Sequence, residues 1–81
     1  QNYPNPFNPH TSIVWYQPDD SPATLTIYDI SGNIVENRAL DSHRAGINSF
    51  IWDGSGFSSG IYVYMLNHNG VSYNNKMVLI K

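Results

Sequence analysis

The sequence has no cysteine and little charge of either sign. Its 81 residues include six acidic and four basic side chains, which gives a formal net charge of −2. Without cysteine, a disulfide scaffold, a thiolate zinc site and a thiol nucleophile are all excluded. Without a basic run, the chain has no electrostatic footprint for nucleic acid or for an anionic membrane surface.

Long apolar runs and paired glutamates are also missing. The longest strictly apolar run, not counting tyrosine, has four residues, which is too short to span a bilayer. Glu36 is the only glutamate, so the chain cannot assemble a glutamate pair for glycoside hydrolysis. The segment Ser58-Ser59-Gly60 is expected to form a turn and not a nucleophile elbow. The sequence therefore predicts no enzymatic activity.

The residues that are abundant favour β-structure. The β-branched and aromatic residues number 27, against 16 good helix formers. Six short strand-like segments separated by turn residues lie at 11–17, 23–29, 34–40, 47–52, 61–67 and 71–81, and the alternation of apolar and polar positions is clearest at 23–29. A chain of this length holds one core. We therefore predict an all-β fold, an antiparallel β-sandwich of six or seven strands.

All five prolines lie within the first 22 residues. The run Tyr3-Pro4-Asn5-Pro6-Phe7-Asn8-Pro9 favours extended, polyproline-like backbone. We expect an extended proline-rich segment at 1–10, attached to the sheet by Tyr3 and Phe7, and the sandwich at 11–81. A ligand for a proline-reading domain is the alternative. Since Gln1 is not an initiator methionine, we expect excision from a longer precursor.

Metal-binding patterns are weak. His10, His43 and His68 are far apart in predicted loops, so surface positions are expected. Asp19-Asp20 is the only adjacent acidic pair, and the spacing of a calcium loop is absent. A structural calcium between loops stays open, and no cofactor is predicted.

The aromatic residues allow two interpretations. On a sandwich they could form a sugar-stacking face, or they could fill a core that has no disulfides. We expect about two thirds of them in the core. The residues concerned are Trp15, Tyr16, Trp52, Tyr62, Tyr64 and Tyr73.

The last predicted strand is apolar on both faces and is bracketed by lysines. Such a strand either lies centrally in a sheet or forms an edge that can pair with another chain. Its residues are Lys76, Met77, Val78, Leu79, Ile80 and Lys81.

Several blocks together resemble the type A C-terminal sorting domain of the type IX (Por) secretion system of Bacteroidota. They are the Pro4/Pro6 segment, Tyr28-Asp29-Ile30-Ser31-Gly32-Asn33-Ile34-Val35, Ala45-Gly46, Trp52-Asp53-Gly54, Ser59-Gly60-Ile61-Tyr62-Val63-Tyr64 and the terminal lysine-bracketed block. The central part is also similar to the immunoglobulin-like domain of flagellar hook-capping proteins, which implies an Ig-like sandwich.

The resemblance implies a secretion signal with no chemistry of its own. An upstream cargo, covalently continuous with this domain, would be read by an outer-membrane translocon and cut by a sortase-like cysteine peptidase. The cargo would pass through the periplasm to the cell surface or the extracellular space. The domain is expected to be a monomer. The recognition residues carried over are Pro4, Pro6, Gly60, Tyr62 and the six residues of the terminal block.

Each carried-over residue also has a structural interpretation. The terminal strand would either dock on the machinery or merely complete a sheet, and Gly60 and Tyr62 would mainly support the fold. Two other functions stay open for the whole chain. They are a carbohydrate-binding appendage and an inert immunoglobulin-like spacer or assembly domain.

Overall fold

The computed structural model describes residues 2–3, 9–40 and 45–80, and all of its regular structure there is β-strand. The strands, in chain order, are β1 (Asn2–Tyr3), β2 (His10–Gln17), β3 (Ala23–Asp29), β4 (Ile34–Ala39), β5 (Gly46–Asp53), β6 (Gly60–His68) and β7 (Val71–Leu79).

The strands form two antiparallel sheets. One has the order β1-β2-β5 and the other the order β4-β3-β6-β7. Alternate side chains of β2, β3 and β6 are buried, because successive residues of a strand point to opposite faces. The Trp52 ring on β5 lies 5.3 Å from the Tyr62 ring on β6, so the two sheets share one core. The predicted β-sandwich is confirmed.

Two hairpins follow from local turn chemistry. Asn69 and Gly70 both have positive φ, at 53° and 82°, as a two-residue type I′ turn between β6 and β7 requires. In the β3–β4 turn, Gly32 has φ 89°, and the Asp29 carboxylate accepts the Ser31 and Asn33 amide N–H groups, each at 2.9 Å. Both turns lie between segments that were predicted as strands.

The strand ends differ slightly from the prediction. β3 has the predicted bounds, and β2 begins one residue earlier, at His10. β7 ends at Leu79, whereas the predicted strand continued through residue 80 to residue 81, which lies outside the described residues. The two-residue β1 was not predicted as a strand. It pairs with β2, Asn2 opposite Ile13 and Tyr3 opposite Ser12.

The histidine prediction was wrong for His68. Its side chain is buried, and its Nε2 lies 3.1 Å from Asp19 Oδ1. The neighbouring Gln17 is fully buried and donates from Nε2 to the carbonyl oxygens of Asp19 and Ser21, each at 2.9 Å. These buried polar groups satisfy their hydrogen bonds by holding the loop between β2 and β3 against the sandwich.

Candidate recognition site

β7 is the edge strand of the four-stranded sheet. It pairs with β6 along its whole length, and no other strand of the described residues adjoins it. Its inner face near the end of the strand is part of the core, where Met77 is 0% and Leu79 1% exposed. Lys76 is exposed and Val78 half-buried on the opposite face. The apolar residues of the terminal block therefore divide between the core and the surface.

The outward side of this strand end carries a small apolar patch beside one positive charge. Ile80, just past the strand, is 51% exposed. Ile61 is 38% exposed and lies opposite Val78, while Val63 lies opposite Lys76. Since these side chains are not needed to fill the core, they are accessible to a partner.

Tyr62 connects the terminal block with the loop before β6. It lies opposite Met77, and its hydroxyl donates to the Ser58 carbonyl oxygen at 2.7 Å. Its ring makes edge contacts with Trp52 and with Phe57, at centroid distances of 5.3 and 6.3 Å. Tyr62 is thus a core anchor that also fixes the backbone of the loop.

Gly60 begins β6 directly opposite Leu79. Its φ is +155°, a backbone conformation that L side chains rarely adopt, and a Cβ there would have no atom within 4 Å. The requirement for glycine is therefore conformational, not steric.

Three of the residues expected to take part in recognition, Pro4, Pro6 and Lys81, lie outside the described residues. The structure brings the others together, since Gly60 and Tyr62 are the cross-strand neighbours of Leu79 and Met77. Ile61, the middle residue of the Gly-x-Tyr block, is 38% exposed, a degree of exposure that the alternation of the strand does not indicate.

The aromatic residues divide as expected. Four of the six are buried, Trp15, Trp52, Tyr62 and Tyr64, whereas Tyr16 and Tyr73 are exposed. The two exposed tyrosines line one cleft of about 280 Å³, together with Val14, Trp15, Tyr64 and Leu66. Among these six residues, the exposed aromatic surface therefore belongs to Tyr16 and Tyr73, which border this cleft.

The described residues contain no cluster of three or more His, Asp or Glu side chains that could hold a metal ion. The two carboxylates of the acidic pair already accept hydrogen bonds: Asp19 from the Ser21 amide at 2.9 Å and Asp20 from the Ala45 amide at 2.6 Å. The Ser21 hydrogen bonds, together with His68, hold the pKa of Asp19 below its ordinary value. Among the same residues no helix is long and apolar enough to cross a membrane.

A comparison with known families finds a match that spans the chain. The family model described as the secretion system C-terminal sorting domain matches residues 1–81. Neither a curated protein nor a solved structure matched the chain.

Proposed function

Because this chain belongs to the family of secretion system C-terminal sorting domains, we propose that the secretion machinery recognises it through β7. The domain is a sorting signal for type IX secretion and directs export to the cell surface or the extracellular space. The observation that carries this function is the family match over residues 1–81. The resemblance of separate blocks, from the Pro-Asn-Pro segment to the terminal lysine, points the same way.

The partners in this proposal are an outer-membrane translocon that reads the folded domain and a sortase-like cysteine peptidase that cuts upstream of it. The cargo precedes the domain in the same polypeptide. The domain acts by being recognised, and the peptidase supplies the chemistry of processing. The proline-rich segment at 1–10, whose residues 2 and 3 pair with β2, is proposed as the entry from the cargo into the sandwich at 11–81.

Recognition through β7 uses its outward side and its edge. Met77 and Leu79 are buried, so a partner could contact them only after the core had opened. Lys76, Val78 and Ile80 are accessible while the fold is intact. An edge strand can also pair with a strand of a partner through its backbone, which supplies affinity without exposing the core.

The positions of the basic side chains also favour recognition through this surface of β7. Only four side chains of the chain are Lys or Arg, and Lys76 and Lys81 are two of them. A lysine beside an exposed apolar patch limits pairing with unintended strands and offers a charge that a partner can recognise. We propose that the patch of Ile61, Val78 and Ile80 provides the contact area and that Lys76 contributes to orientation.

Surface substitutions that leave the core intact test this site. Residues 1–81 are fused behind a passive reporter in a host with a functional type IX system, and Val78→Asp and Ile80→Asp are introduced together. Ile47→Asp is the matched control, because Ile47 is 74% exposed on β5 of the other sheet. We expect reporter to accumulate in the periplasm with the double variant and normal export with the control.

Normal export of the double variant, with the fold verified by circular dichroism, would exclude the outward side of β7 as the recognition surface. Loss of export in both the double variant and the control would mean that recognition is not specific to β7. In either case the family assignment would stand, since it does not depend on which surface is read.

A further inference from the structure

β1 covers only one end of the β2 edge. Its two described residues pair with Ser12 and Ile13. β2 continues to Gln17, and β5 accompanies it on the other side over its whole length. The described part of β1 therefore does not reach Tyr16 or Gln17. On this side of β2, the described residues pair with only one end of the strand.

In the four-stranded sheet, the inner face of β7 is likewise buried near one end of the strand and exposed near the other. Tyr73 and Met77 lie on the same face of β7, because residues separated by an even number point to the same side of a strand. Met77 is 0% exposed, yet Tyr73 is 53% exposed. Tyr73 lies opposite Leu66, which is buried, so its position belongs to the inner face of the sheet. Tyr73 is therefore an inner-face tyrosine that is left half exposed.

The part of the β2 edge beyond β1 and the exposed Tyr73 border the same cleft. The cleft of about 280 Å³ is bounded by Val14, Trp15 and Tyr16 of β2 and by Tyr64, Leu66 and Tyr73 of β6 and β7. Neighbouring strands lie about 4.8 Å apart and packed sheets about 10 Å apart, so this is where a strand beside β2 would lie over β7. The cleft therefore occupies the path that β1 would follow if it were longer.

We propose that the polypeptide preceding Gln1 in the cargo-bearing precursor continues β1 along β2 and fills this cleft. The inference rests on the proposed function, because a sorting domain is joined to a cargo. The register of β1 sets the contacts. With Tyr3 opposite Ser12 and Asn2 opposite Ile13, the residue immediately before Gln1 lies opposite Trp15. The residue before that lies opposite Tyr16.

The register also gives the chemistry of the docked segment. Trp15 points into the sandwich, and directly opposed residues of an antiparallel pair point to the same face. The residue immediately before Gln1 therefore faces the cleft and Tyr73, where an apolar or aromatic side chain gains most from burial. The cleft is bounded by aromatic and aliphatic residues with no charged side chain, so a charged residue at that position would be disfavoured.

Hydrogen exchange on extended chains tests the proposal. One chain carries the native residues that precede Gln1, about six of them, the usual length of a strand. A matched chain carries a Gly-Ser extension of the same length. We expect exchange of the extension amides to be about tenfold slower in the native extension than in the Gly-Ser chain. Tyr73→Ser in the native-extension chain should remove most of that protection, whereas Ile34→Ser, an exposed position on β4, should retain it.

Equal exchange in the two extensions would overturn the proposal. Protection that depends on protein concentration would also overturn it, because a second copy would then be the occupant. Oligosaccharides that shift the Tyr73 resonances while the native extension leaves them unchanged would identify a glycan site instead. These measurements need no secretion machinery. Failure here would leave reporter export unaffected, and failure of export would leave the exchange result unaffected.

Discussion

Met77 lies directly opposite Tyr62 in the β6–β7 pair, and both side chains are buried in the shared core. Two blocks that are far apart in the sequence, Gly-x-Tyr and the lysine-bracketed terminus, are therefore one structural unit. Deleting the terminal block would remove core residues together with the surface residues Lys76 and Ile80. Substitutions on each face of β7 separate these two roles, and a truncation does not.

The inward face of β7 is expected to carry stability. Met77→Ala leaves a cavity in a fully buried site and should lower the free energy of unfolding by about 2–5 kcal/mol. Ile80→Ala, at a half-exposed position beyond the strand, should change it by about 0.5 kcal/mol or less. Urea titrations of both variants measure the difference. Equal losses would contradict the division of β7 into two faces.

The hydroxyl of Tyr62 is expected to stabilise the loop before β6. Tyr62→Phe removes its hydrogen bond to Ser58 while preserving the ring contacts, so a loss of about 1 kcal/mol is expected. Tyr73→Phe is the control, because that ring is half exposed. Thermal unfolding compares the two. A Tyr62 variant as stable as the Tyr73 variant would show that the hydrogen bond has no net effect.

Gly60 and Gly56 provide a matched pair within one segment. A Cβ atom at either position would have no other atom within 4 Å. Only Gly60 has a backbone conformation that residues with side chains rarely adopt. Gly60→Ala should therefore cost about 1–3 kcal/mol, and Gly56→Ala about 0.5 kcal/mol or less. Chemical denaturation measures both. If Gly60→Ala is as stable as Gly56→Ala, the conformational requirement is wrong.

Asp29 is expected to contribute to acid sensitivity. The Asn33 amide, followed by further donors of the same turn, holds the pKa of the Asp29 carboxyl below its ordinary value. A depressed folded-state pKa means that the stabilisation is complete above the unfolded value and is lost as the pH falls below about 4. Asp29→Asn cannot titrate, so its stability should fall less between pH 6 and pH 3, which denaturation at each pH would measure. Identical pH profiles would contradict this assignment.

Much of this fold could be predicted because its determinants are local. The alternation of β3 and β6 reports which side chains face the core, and the Asn69-Gly70 pair reports a turn that needs positive φ at both positions. The sequence did not indicate which residues of the terminal block face the core and which face the surface. Its apolar residues are consecutive, and only pairing with β6 shows that Met77 and Leu79 face inward.

The remaining surprises depend on contacts between distant segments. Burial of His68 requires Asp19, which is 49 positions away, and nothing near His68 in the sequence indicates that partner. Tyr73 is 53% exposed although it lies opposite the buried Leu66. Sequence periodicity places Tyr73 on the inner face, but it cannot say whether the facing sheet extends over it.

These 81 residues are a type IX sorting signal, and export of a fused reporter tests this function directly. The most direct measurement fuses residues 1–81 behind a passive reporter and follows the reporter in a type IX-competent host and in a matched host whose translocon is inactive. We expect reporter at the cell surface or in the medium of the first host and in the periplasm of the second. Periplasmic retention in both hosts, with the domain folded, would contradict it.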